Sequence, residues 1–534
     1  MNKEKLKVLI SDKLSVAAIE IFKDNGIQVD FNPEMGRNPQ EMIKKISEYD
    51  GLAIRSNTKV TFDLIEKAIN LKVIGRAGIG VDNIDITAAS TKGIVVMNTP
   101  FGNSITTAEH TIAMLLSVAR QIPDANASTH AGKWEKTKYL GTEVTGKTLG
   151  LIGAGNIGSV VASRAIGLKM RVIAYDPFLS LERAQAIGIT KVETLVEVLN
   201  RSDFVSLHLP KTEKTKNLIS TAELQSMKRG AKLINCARGG LIDEEAVALS
   251  ITSGHLGGGA FDVFSEEPAI TNPLFGIANV VCTPHLGAST KEAQEKVALQ
   301  IAEQMCGYLK RGAVSNALNA PSLTAEEVPV LTPWINVAKV IGSFAGQVTE
   351  NPIKEIEIEF AGAVGKLNLK PLVAATTAAL LIPLVGEGTV NMVSAPIIAR
   401  QRGINISEIR KDSNGAFESY VRLTVVTENQ SRSIAGTIYS DGKPRFIQIK
   451  EINLEAEPQK FMLYTTNIDV PGYIGALGTA LGDMNVNIAT FALGRSQKNG
   501  QAIALLGVDN KITNSILKKV RDLPQVITAH FLVF

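Results

Sequence analysis

The sequence has few cysteines, few histidines and little net charge. Its three cysteines, among 534 residues, form no CxxC pair, which argues against a disulfide framework and against a zinc finger. Lys and Arg together number 56 and Asp and Glu 52, so the net charge of +4 offers no electrostatic footprint for nucleic acid. Hydrophobic residues at 45% and charged residues at 20% are typical of a globular chain, which excludes disorder as the main theme.

Long hydrophobic runs are also missing. The apolar run at residues 371–385, PLVAATTAALLIPLV, falls short of the ~20 residues that span a bilayer, and it predicts a buried core helix instead. The opening residues, MNKEKLKVLIS, lack the apolar segment of a signal peptide. We therefore expect a cytoplasmic protein with no membrane partner, no nucleic-acid partner and no metal site.

The length and the hydrophobic pattern predict several domains. At roughly 150 residues per domain, 534 residues suggest three or four domains. The first hundred residues alternate strand and helix patterns, which implies a mostly parallel sheet covered on both faces. A long helix pattern, ITTAEHTIAMLLSVARQIPDAN, leads to a second series of six strand candidates, from KTLGLIG to VVCTPH. The chain is therefore predicted to begin with two doubly wound α/β units.

The remainder of the chain has a different pattern of predicted strands and helices. A proline-containing segment, SNALNAPSLTAEEVPVLTP, predicts an interdomain linker. A mixed α+β region follows to about residue 459, with strand patterns such as IKEIEIEF, VRLTVVT and RFIQIKEINLEA. The final segment, from residue 460 onward, has the order β-α-β-β-α-β, which is a ferredoxin-like arrangement.

A glycine-rich turn predicts a dinucleotide site. Gly153, Gly155 and Gly158 form GxGxxG between the strand pattern LGLIG and a following helix. They permit a tight turn, close approach of a pyrophosphate and close helix–strand packing, while the helix N-terminus attracts phosphate. Asp176 ends the next strand, where its carboxylate would accept ribose hydroxyls and repel a 2′-phosphate. The pattern predicts NAD rather than NADP; a structural glycine turn beside an unrelated aspartate is the alternative.

Three polar residues at predicted strand ends suggest hydride-transfer chemistry. Arg238 follows KLINCA, Glu267 lies in FDVFSEEP and His285 ends VVCTPH. A histidine can take the hydroxyl proton, a carboxylate can orient that histidine, and an arginine can hold a substrate carboxylate bidentately. An ordinary solvated loop charge is the alternative for each, and His208 in VSLHLP competes as a strand-end histidine. Spacing alone leaves these alternatives open.

The motifs together resemble those of the D-isomer-specific 2-hydroxyacid dehydrogenase family. They are GRAGIGVDNID, MNTPFGNSITTAEH, GLIGAGNIG, NCARGGLIDE, FDVFSEEP and TPHLGASTKEAQ, and they cover residues 1–315 in order. The resemblance implies two Rossmann-like domains, with an NAD-binding domain at residues 100–286 inserted into a substrate-binding domain at residues 1–99 and 287–315. It makes Arg238, Glu267 and His285 the catalytic residues. It also implies that the cofactor contacts Ile79, Asn156, Ile157, Leu209, Cys236, Ala237 and Asp262.

The substrate needs a separate argument. Within the family the sequence is most similar to the branch that oxidises 3-phosphoglycerate to 3-phosphohydroxypyruvate, the first step of serine synthesis. Such a substrate has two anionic ends; Arg55 and Arg76 end strands of the first unit, and Asn103 adds a donor. A brace between domains is the alternative role for Arg76. Reduction of glyoxylate or hydroxypyruvate, and a non-enzymatic NAD-binding corepressor, are the alternative functions.

The C-terminal segments resemble regulatory modules. Residues 460–534 resemble an ACT domain through Asn467, Asp469, Pro471 and the NVNIA motif that contains Asn487. The resemblance implies that such domains pair edge to edge and bind an amino-acid effector, here L-serine, through Asn467, Asp469 and Asn487. A dimerisation module without a ligand is the alternative. Residues 320–455 look like the intervening domain of long-form enzymes of the family, and the family implies a homodimer or a homotetramer.

Overall fold

The computed structural model describes residues 5–386, 390–412 and 416–534. These residues form four β-sheets, which follow one another along the chain. The first two sheets are parallel, the third is mixed and the fourth is antiparallel. The predicted fold class, with two Rossmann-like units followed by a mixed α+β unit and a ferredoxin-like unit, is therefore confirmed.

The first sheet has the strand order β2-β1-β3-β4-β5. Its strands are β1 (Lys7–Ile10), β2 (Gln28–Phe31), β3 (Gly51–Ile54), β4 (Val73–Arg76) and β5 (Val95–Asn98). Its helices are α1 (Val16–Asp24), α2 (Pro39–Lys45), α3 (Phe62–Lys67) and α4 (Ile86–Thr91), with 3₁₀ turns at Met35–Arg37 and Ile46–Glu48. Every residue of β3 and β5 is buried because helices cover both faces of the sheet, as the continuous apolar strand patterns predict.

The second sheet has the order β12-β11-β10-β9-β6-β7-β8. Its strands are β6 (Thr148–Ile152), β7 (Arg171–Tyr175), β8 (Thr190–Lys191), β9 (Phe204–Leu207), β10 (Lys232–Asn235), β11 (Gly258–Phe261) and β12 (Val280–Cys282). Its helices are α5 (Ser104–Arg120), α6 (Ile122–His130), α7 (Asn156–Gly167), α8 (Leu181–Ala186), α9 (Leu195–Arg201), α10 (Thr221–Ser226) and α11 (Glu244–Thr252). The six expected strands are present, and the two-residue β8 adds a seventh at the edge.

The long helix expected at the start of this unit is broken in two, so that expectation was wrong. Gln121 has a left-handed φ of 51° between α5 and α6. Pro123 lies in the first turn of α6, where a proline costs no helical hydrogen bond. In the interior of one continuous helix the same proline would remove a hydrogen bond and clash with the preceding turn.

A long helix then returns the chain to the first sheet. It is α12 (Lys291–Arg311), and it packs over β3, β4 and β5. A Cβ atom at Gly51 would lie 3.1 Å from Cε of Met305, and one at Gly75 would overlap Sδ of the same side chain. The two glycines therefore allow the helix to approach the sheet closely.

The third sheet has the order β14-β13-β15-β16-β17-β18. Its strands are β13 (Ile353–Gly362), β14 (Asn405–Lys411), β15 (Ser419–Thr427), β16 (Ser431–Ile438), β17 (Pro444–Ile449) and β18 (Ile452–Ala456). Its helices are α13 (Val328–Val348), α14 (Lys370–Val385) and α15 (Ala395–Gln401), with a 3₁₀ turn at Ala363–Lys366. The segment RFIQIKEINLEA is a hairpin of β17 and β18 rather than one strand, because Lys450 and Glu451 have positive φ.

Two apolar helices of this unit form a layer on the sheet. The expected core helix is α14, and it packs against α13, which in turn contacts β15, β16 and β17. Within the described ranges, α13 is the one helix that is long and apolar enough to cross a membrane by length and composition. Its buried residues, among them Leu331, Val337 and Phe344, face the protein core.

The predicted interdomain linker is partly structured. Its last residues belong to α13, which begins at Val328. Upstream, Val314 bridges to Leu323, and Asn319 donates to the carbonyl of Ile94 at 2.8 Å and accepts from the backbone N of Val96 at 2.9 Å. The segment is therefore fastened to the first sheet, which its turn-like composition could not indicate.

The fourth sheet has the order β20-β21-β19-β22. Its elements are β19 (Phe461–Ile468), α16 (Tyr473–Gly482), β20 (Ile488–Arg495), β21 (Gln501–Val508), α17 (Asn514–Arg521) and β22 (Val526–Val533). One face packs on its own helices through Leu463 and Leu506. The other face packs on the third unit, where the Phe344 and Tyr464 rings are 5.0 Å apart.

Candidate active site

A cleft between the first two units brings together the side chains at several strand ends. A cavity of about 660 Å³ is lined by residues of both units, including Arg55, Arg76, Asn103, Glu267 and His285. A neighbouring cavity of about 300 Å³ shares Arg76, Asn103 and His285 and lies along the glycine-rich turn. Its lining also includes Ile79, Asn156, Ile157, Leu209, Cys236, Ala237 and Arg238.

His285 and Glu267 form a hydrogen-bonded pair in the larger cavity. Nδ1 of His285 lies 2.6 Å from Oε2 of Glu267, while Oε1 of Glu267 accepts from the backbone N of Phe264 at 3.0 Å. Burial opposes ionisation of Glu267, but the hydrogen bonds from His285 and Phe264 and the charge of His285 outweigh it, so the pKa of Glu267 lies below its usual value. An ionised carboxylate on Nδ1 leaves Nε2 as the nitrogen that can accept a proton.

The loop that carries Glu267 is held by a buried carboxylate that sequence reasoning missed. Glu244, at the start of α11, accepts from the backbone N of Ser265 at 2.6 Å, from Oγ of Ser265 at 2.8 Å and from Nδ2 of Asn272 at 2.7 Å. The acidic pair directly after RGGLID was the available signal. Gly239 also matters here, because a Cβ at this position would overlap the carbonyl of Phe264.

Arg238 lies at the opening between the two units. Its Nε donates to Oδ2 of Asp82 at 3.0 Å, and one terminal nitrogen donates to the carbonyl of Ala237 at 2.7 Å. Asp82 comes from the first unit and is also a residue that sequence reasoning missed. Most of its side chain is exposed, so a substrate carboxylate can compete for the guanidinium.

Arg76 and Arg55 concentrate positive charge at the bottom of the cleft. Burial, followed by repulsion from Arg238 and Arg55, lowers the pKa of Arg76 to about 10. Within the described part of the chain, Nε of Arg76 and Oδ1 of Asn103 are buried without a hydrogen-bond partner. Burial also lowers the pKa of Arg55, against the attraction of Asp12. Desolvated cations this close together are stabilised by an anion.

The glycine-rich turn has the geometry of a phosphate cradle. Gly153 has a φ of 97°, and a Cβ there would lie 2.5 Å from the carbonyl of His208, whereas a Cβ at Gly155 would meet no described atom within 4 Å. Asp176 ends β7 beside the turn, where it accepts from the backbone N of Ala154 at 2.9 Å. The open approach at Gly155 and the N-terminus of α7 fit the pyrophosphate of a dinucleotide.

His208 packs against this glycine-rich turn. Burial lowers its pKa to about 4, and its Nε2 lies 3.0 Å from Oγ of Ser206. Its imidazole is therefore neutral at physiological pH, and its ring contacts Ser206 rather than a carboxylate. The contact with Glu267 thus favours His285 over His208 as the base of the cleft.

Two of the expected cofactor contacts are buried beside the cavities. Asp262 is 0% exposed and receives hydrogen bonds from the turn that follows β12. Cys236 lines the smaller cavity but is buried, and burial, aided by the charge of Asp262, raises the pKa of its thiol far above the usual range.

The three expected effector residues lie at two ends of the fourth sheet. Asn467 and Asp469 line a cavity of about 310 Å³ together with Arg495. Asn487 precedes β20 at the opposite end, where its Nδ2 donates to Asp509 at 2.7 Å. Asn467 and Asp469 could meet Asn487 only across two chains.

Comparisons with known proteins identify the family of the chain. The family descriptions that match are "D-isomer specific 2-hydroxyacid dehydrogenase, NAD binding domain" at residues 112–287 and "D-3-phosphoglycerate dehydrogenase intervening domain" at residues 330–450. The chain is 39% identical to D-3-phosphoglycerate dehydrogenase of Bacillus subtilis, over 98% of both chains. It is 38% identical to the Methanocaldococcus jannaschii protein of the same name, again over 98% of both.

Solved structures resemble about three fifths of the chain. A protein from Thermus thermophilus covers 59% of this chain and all of its own, with a TM-score of 0.55 and 33% identity. The NAD+-bound 3-phosphoglycerate dehydrogenase of Entamoeba histolytica covers 59% of this chain and 99% of its own, with a TM-score of 0.50 and 28% identity.

Proposed function

The chain belongs to the D-3-phosphoglycerate dehydrogenase family and is an NAD-dependent oxidoreductase, and from this premise we propose that it oxidises D-3-phosphoglycerate to 3-phosphohydroxypyruvate. Residues 1–99 and 287–315 bind the substrate, and residues 100–286 bind NAD. The observation that carries the proposal is the pairing of two desolvated arginines with the Glu267–His285 pair in one cleft.

The two ends of the substrate are assigned to different cations. Arg238 holds the carboxylate, since its guanidinium is reachable at the opening between the units. Arg55, Arg76 and Asn103 hold the phosphate in the larger cavity. A bidentate guanidinium contact fixes orientation as well as position, which places C2 near His285.

The chemical step removes the hydroxyl hydrogen as a proton and the hydrogen on C2 as a hydride. Nε2 of His285 accepts the hydroxyl proton because Nδ1 is engaged by Glu267. The C2–H bond then breaks with its electron pair, and the C2–O bond becomes a carbonyl. A bound NAD would supply the acceptor for that hydride. Glu267 stabilises the imidazolium that forms on His285.

The residues present fit NAD. The pyrophosphate would be held by Gly153, Gly155, Asn156, Ile157 and Gly158, and the adenosine ribose by Asp176. The rest of the cofactor would contact Ile79, Leu209, Cys236 and Ala237. Asp262 is assigned to the nicotinamide amide through the remaining acceptor capacity of Oδ2, which accepts from Gly287 at 2.8 Å.

The test compares substrates that differ only in the phosphate. NADH formation is measured with D-3-phosphoglycerate and with D-glycerate, at matched ionic strength. Each charge-assisted hydrogen bond contributes about 1.5–3 kcal/mol, so with Arg55 and Arg76 both on the phosphate we expect kcat/KM to favour the phosphorylated acid by at least about 100-fold. Equal use of both acids would contradict the proposal, and activity on glycolate alone would favour a glyoxylate reductase.

Regulation, assembly and location complete the proposal. We assign the enzyme to the cytoplasm and to the first step of serine synthesis, as a homodimer or homotetramer. The cavity at Asn467 and Asp469 binds an amino acid, L-serine, and Asn487 of a second copy of the chain completes the site. The buried Oδ1 of Asn467 supports a ligand there, because it has no hydrogen-bond partner among the described residues. We expect L-serine to inhibit the enzyme and Asn467→Ala to weaken that inhibition. A pure dimerisation module would bind no serine in calorimetry.

A further inference from the structure

A histidine outside the cleft contacts the group that supports His285. His110 lies on α5, and its Nε2 is 3.2 Å from Oδ1 of Asp262 and 3.3 Å from Oγ1 of Thr283. About a fifth of its side chain is exposed (19%). It shares no atom contact with the Glu267–His285 pair among the contacts of the described residues, so any effect on catalysis must pass through Asp262 and Thr283.

Asp262 clamps the turn that carries His285 from both sides. Its carboxylate accepts from Oγ1 of Thr283 at 2.6 Å and from the backbone N atoms of Leu286 at 2.7 Å and Gly287 at 2.8 Å. Its main-chain carbonyl accepts from the backbone N of His285 at 2.8 Å. One residue therefore determines the path of the chain immediately before and after His285.

The turn needs this support because His285 has a left-handed backbone. Its φ is 55°, which lies in the sparsely populated left-handed region, where a residue other than glycine persists when the surrounding contacts hold it. The imidazole reaches Glu267 from this conformation. A relaxed turn would move the ring away from the cleft.

The direction of the hydrogen bonds assigns a donor role to His110. The Thr283 hydroxyl gives its proton to Asp262, so its lone pairs face Nε2 of His110. Both neighbours of Nε2 are thus acceptors, and this nitrogen carries the proton. Burial raises the pKa of Asp262, but the hydrogen bonds from His110, Thr283 and Leu286 outweigh burial and lower it. His110 thus helps to keep a buried carboxylate ionised.

We propose that His110 is a positioning residue of the dehydrogenase: its Nε2–H donates to the Asp262–Thr283 pair and so holds residues 283–287 in the conformation that presents His285 to the substrate. The inference rests on the proposed function of His285 as the base. The titratable groups around the turn are Glu267, Cys236 and His285 itself, and none of them offers a second donor to Oδ1 of Asp262 among the described contacts.

The first experiment compares His110→Ala with His110→Gln. The glutamine amide reaches about as far as Nε2 and can donate to the same acceptors. A displacement of about 1 Å at a reacting group can cost about 100-fold, so we expect His110→Ala to lower kcat by about 10- to 100-fold. KM for D-3-phosphoglycerate should change by less than about threefold, since the arginines are untouched. His110→Gln should recover most of the lost kcat.

The control is His255→Ala. Nε2 of His255 lies 2.9 Å from the carbonyl of Leu224, remote from the cleft, so this variant loses a comparable histidine hydrogen bond. It should keep kcat within about twofold even if its melting temperature falls. With C2-deuterated substrate, the isotope effect on kcat should be larger in His110→Ala than in the wild type, because the chemical step becomes slower relative to product release.

A double-mutant cycle with His285→Ala separates the possible outcomes. If His110 acts through His285, the double variant is no slower than His285→Ala alone. Full kcat in His110→Ala, equal losses in His110→Ala and His110→Gln, or additive losses in the double variant would each overturn the proposal. A wild type inactive on D-3-phosphoglycerate would instead overturn the proposed function.

Discussion

Replacing Glu267 by glutamine tests the catalytic pair most sharply, because the structure predicts that the amide is worse than deletion. Oε1 of Glu267 accepts from the backbone N of Phe264, and Oε2 faces Nδ1 of His285. In Glu267→Gln the oxygen must remain on the Phe264 side, since that N–H needs an acceptor. The NH2 group then donates to Nδ1, which forces the His285 proton onto Nε2 and blocks the base.

The expected losses follow from these two effects. Glu267→Ala removes a charge-assisted hydrogen bond of about 1.5–3 kcal/mol, which is about 10- to 100-fold in kcat. Glu267→Gln adds the wrong tautomer, and a carboxylate-to-amide change of this kind costs about 10⁴ in a catalytic triad. We expect kcat to fall by about 10³–10⁴ in Glu267→Gln, with KM nearly unchanged.

The assay is steady-state NADH formation with D-3-phosphoglycerate at saturating NAD. Glu266→Gln changes the neighbouring exposed carboxylate and serves as the matched control, with an expected effect on kcat below about twofold. A Glu267→Gln variant that turns over as fast as Glu267→Ala, or faster, would refute the tautomer argument.

Three further predictions concern charge, pH and backbone approach. Arg76→Gln should raise KM for 3-phosphoglycerate by about 10- to 100-fold without lowering the melting temperature of the ligand-free protein, because it removes a desolvated cation; an equal rise in KM for D-glycerate would contradict this. The pKa of His208, lowered to about 4 when folded, means that the unfolded chain binds the proton first as pH falls. The free energy of unfolding therefore falls as the pH drops below 6.5. His208→Gln should reduce the fall in that free energy between pH 7 and pH 5 by about 2 kcal/mol, as measured by urea titration. An equal fall in the variant and the wild type would contradict this prediction. Gly239→Ala should displace the Glu267 loop and reduce kcat by about 100-fold, whereas Gly167→Ala, whose Cβ meets no described atom within 4 Å, should be neutral; equal kcat values would argue against the close approach.

The contact between Glu267 and His285 was predictable because of sheet topology. Parallel strands β11 and β12 are neighbours, and their carboxyl ends lie at the same edge of the sheet, where such folds bind ligands. Polar residues in the loops that follow these two strands were therefore expected to lie near each other. The glycine-rich turn was predictable for a similar reason, since strand, turn and helix are adjacent in sequence.

Long-range hydrogen bonds of individual side chains were not predictable. Glu244, Asp82 and Asn319 contact residues 21, 156 and 223 positions away in sequence, and no local periodicity encodes such pairs. The linker held to the first sheet by Asn319 has the same cause, whereas the helix break at Gln121 has a local one in Pro123. Local composition shows where a chain can turn, but tertiary contacts decide whether it does.

The orientation of the Asp262 side chain could not be predicted from its position at the end of a strand. It follows β11 just as Arg238 follows β10, so position alone suggests that both face the ligand. The structure gives Asp262 two backbone N–H donors from Leu286 and Gly287, which directly follow the positive φ of His285. A buried carboxylate with that many donors is held in place more firmly than a free one. Its orientation thus follows from the turn that it supports, and that turn depends on a backbone conformation that no side-chain pattern reveals.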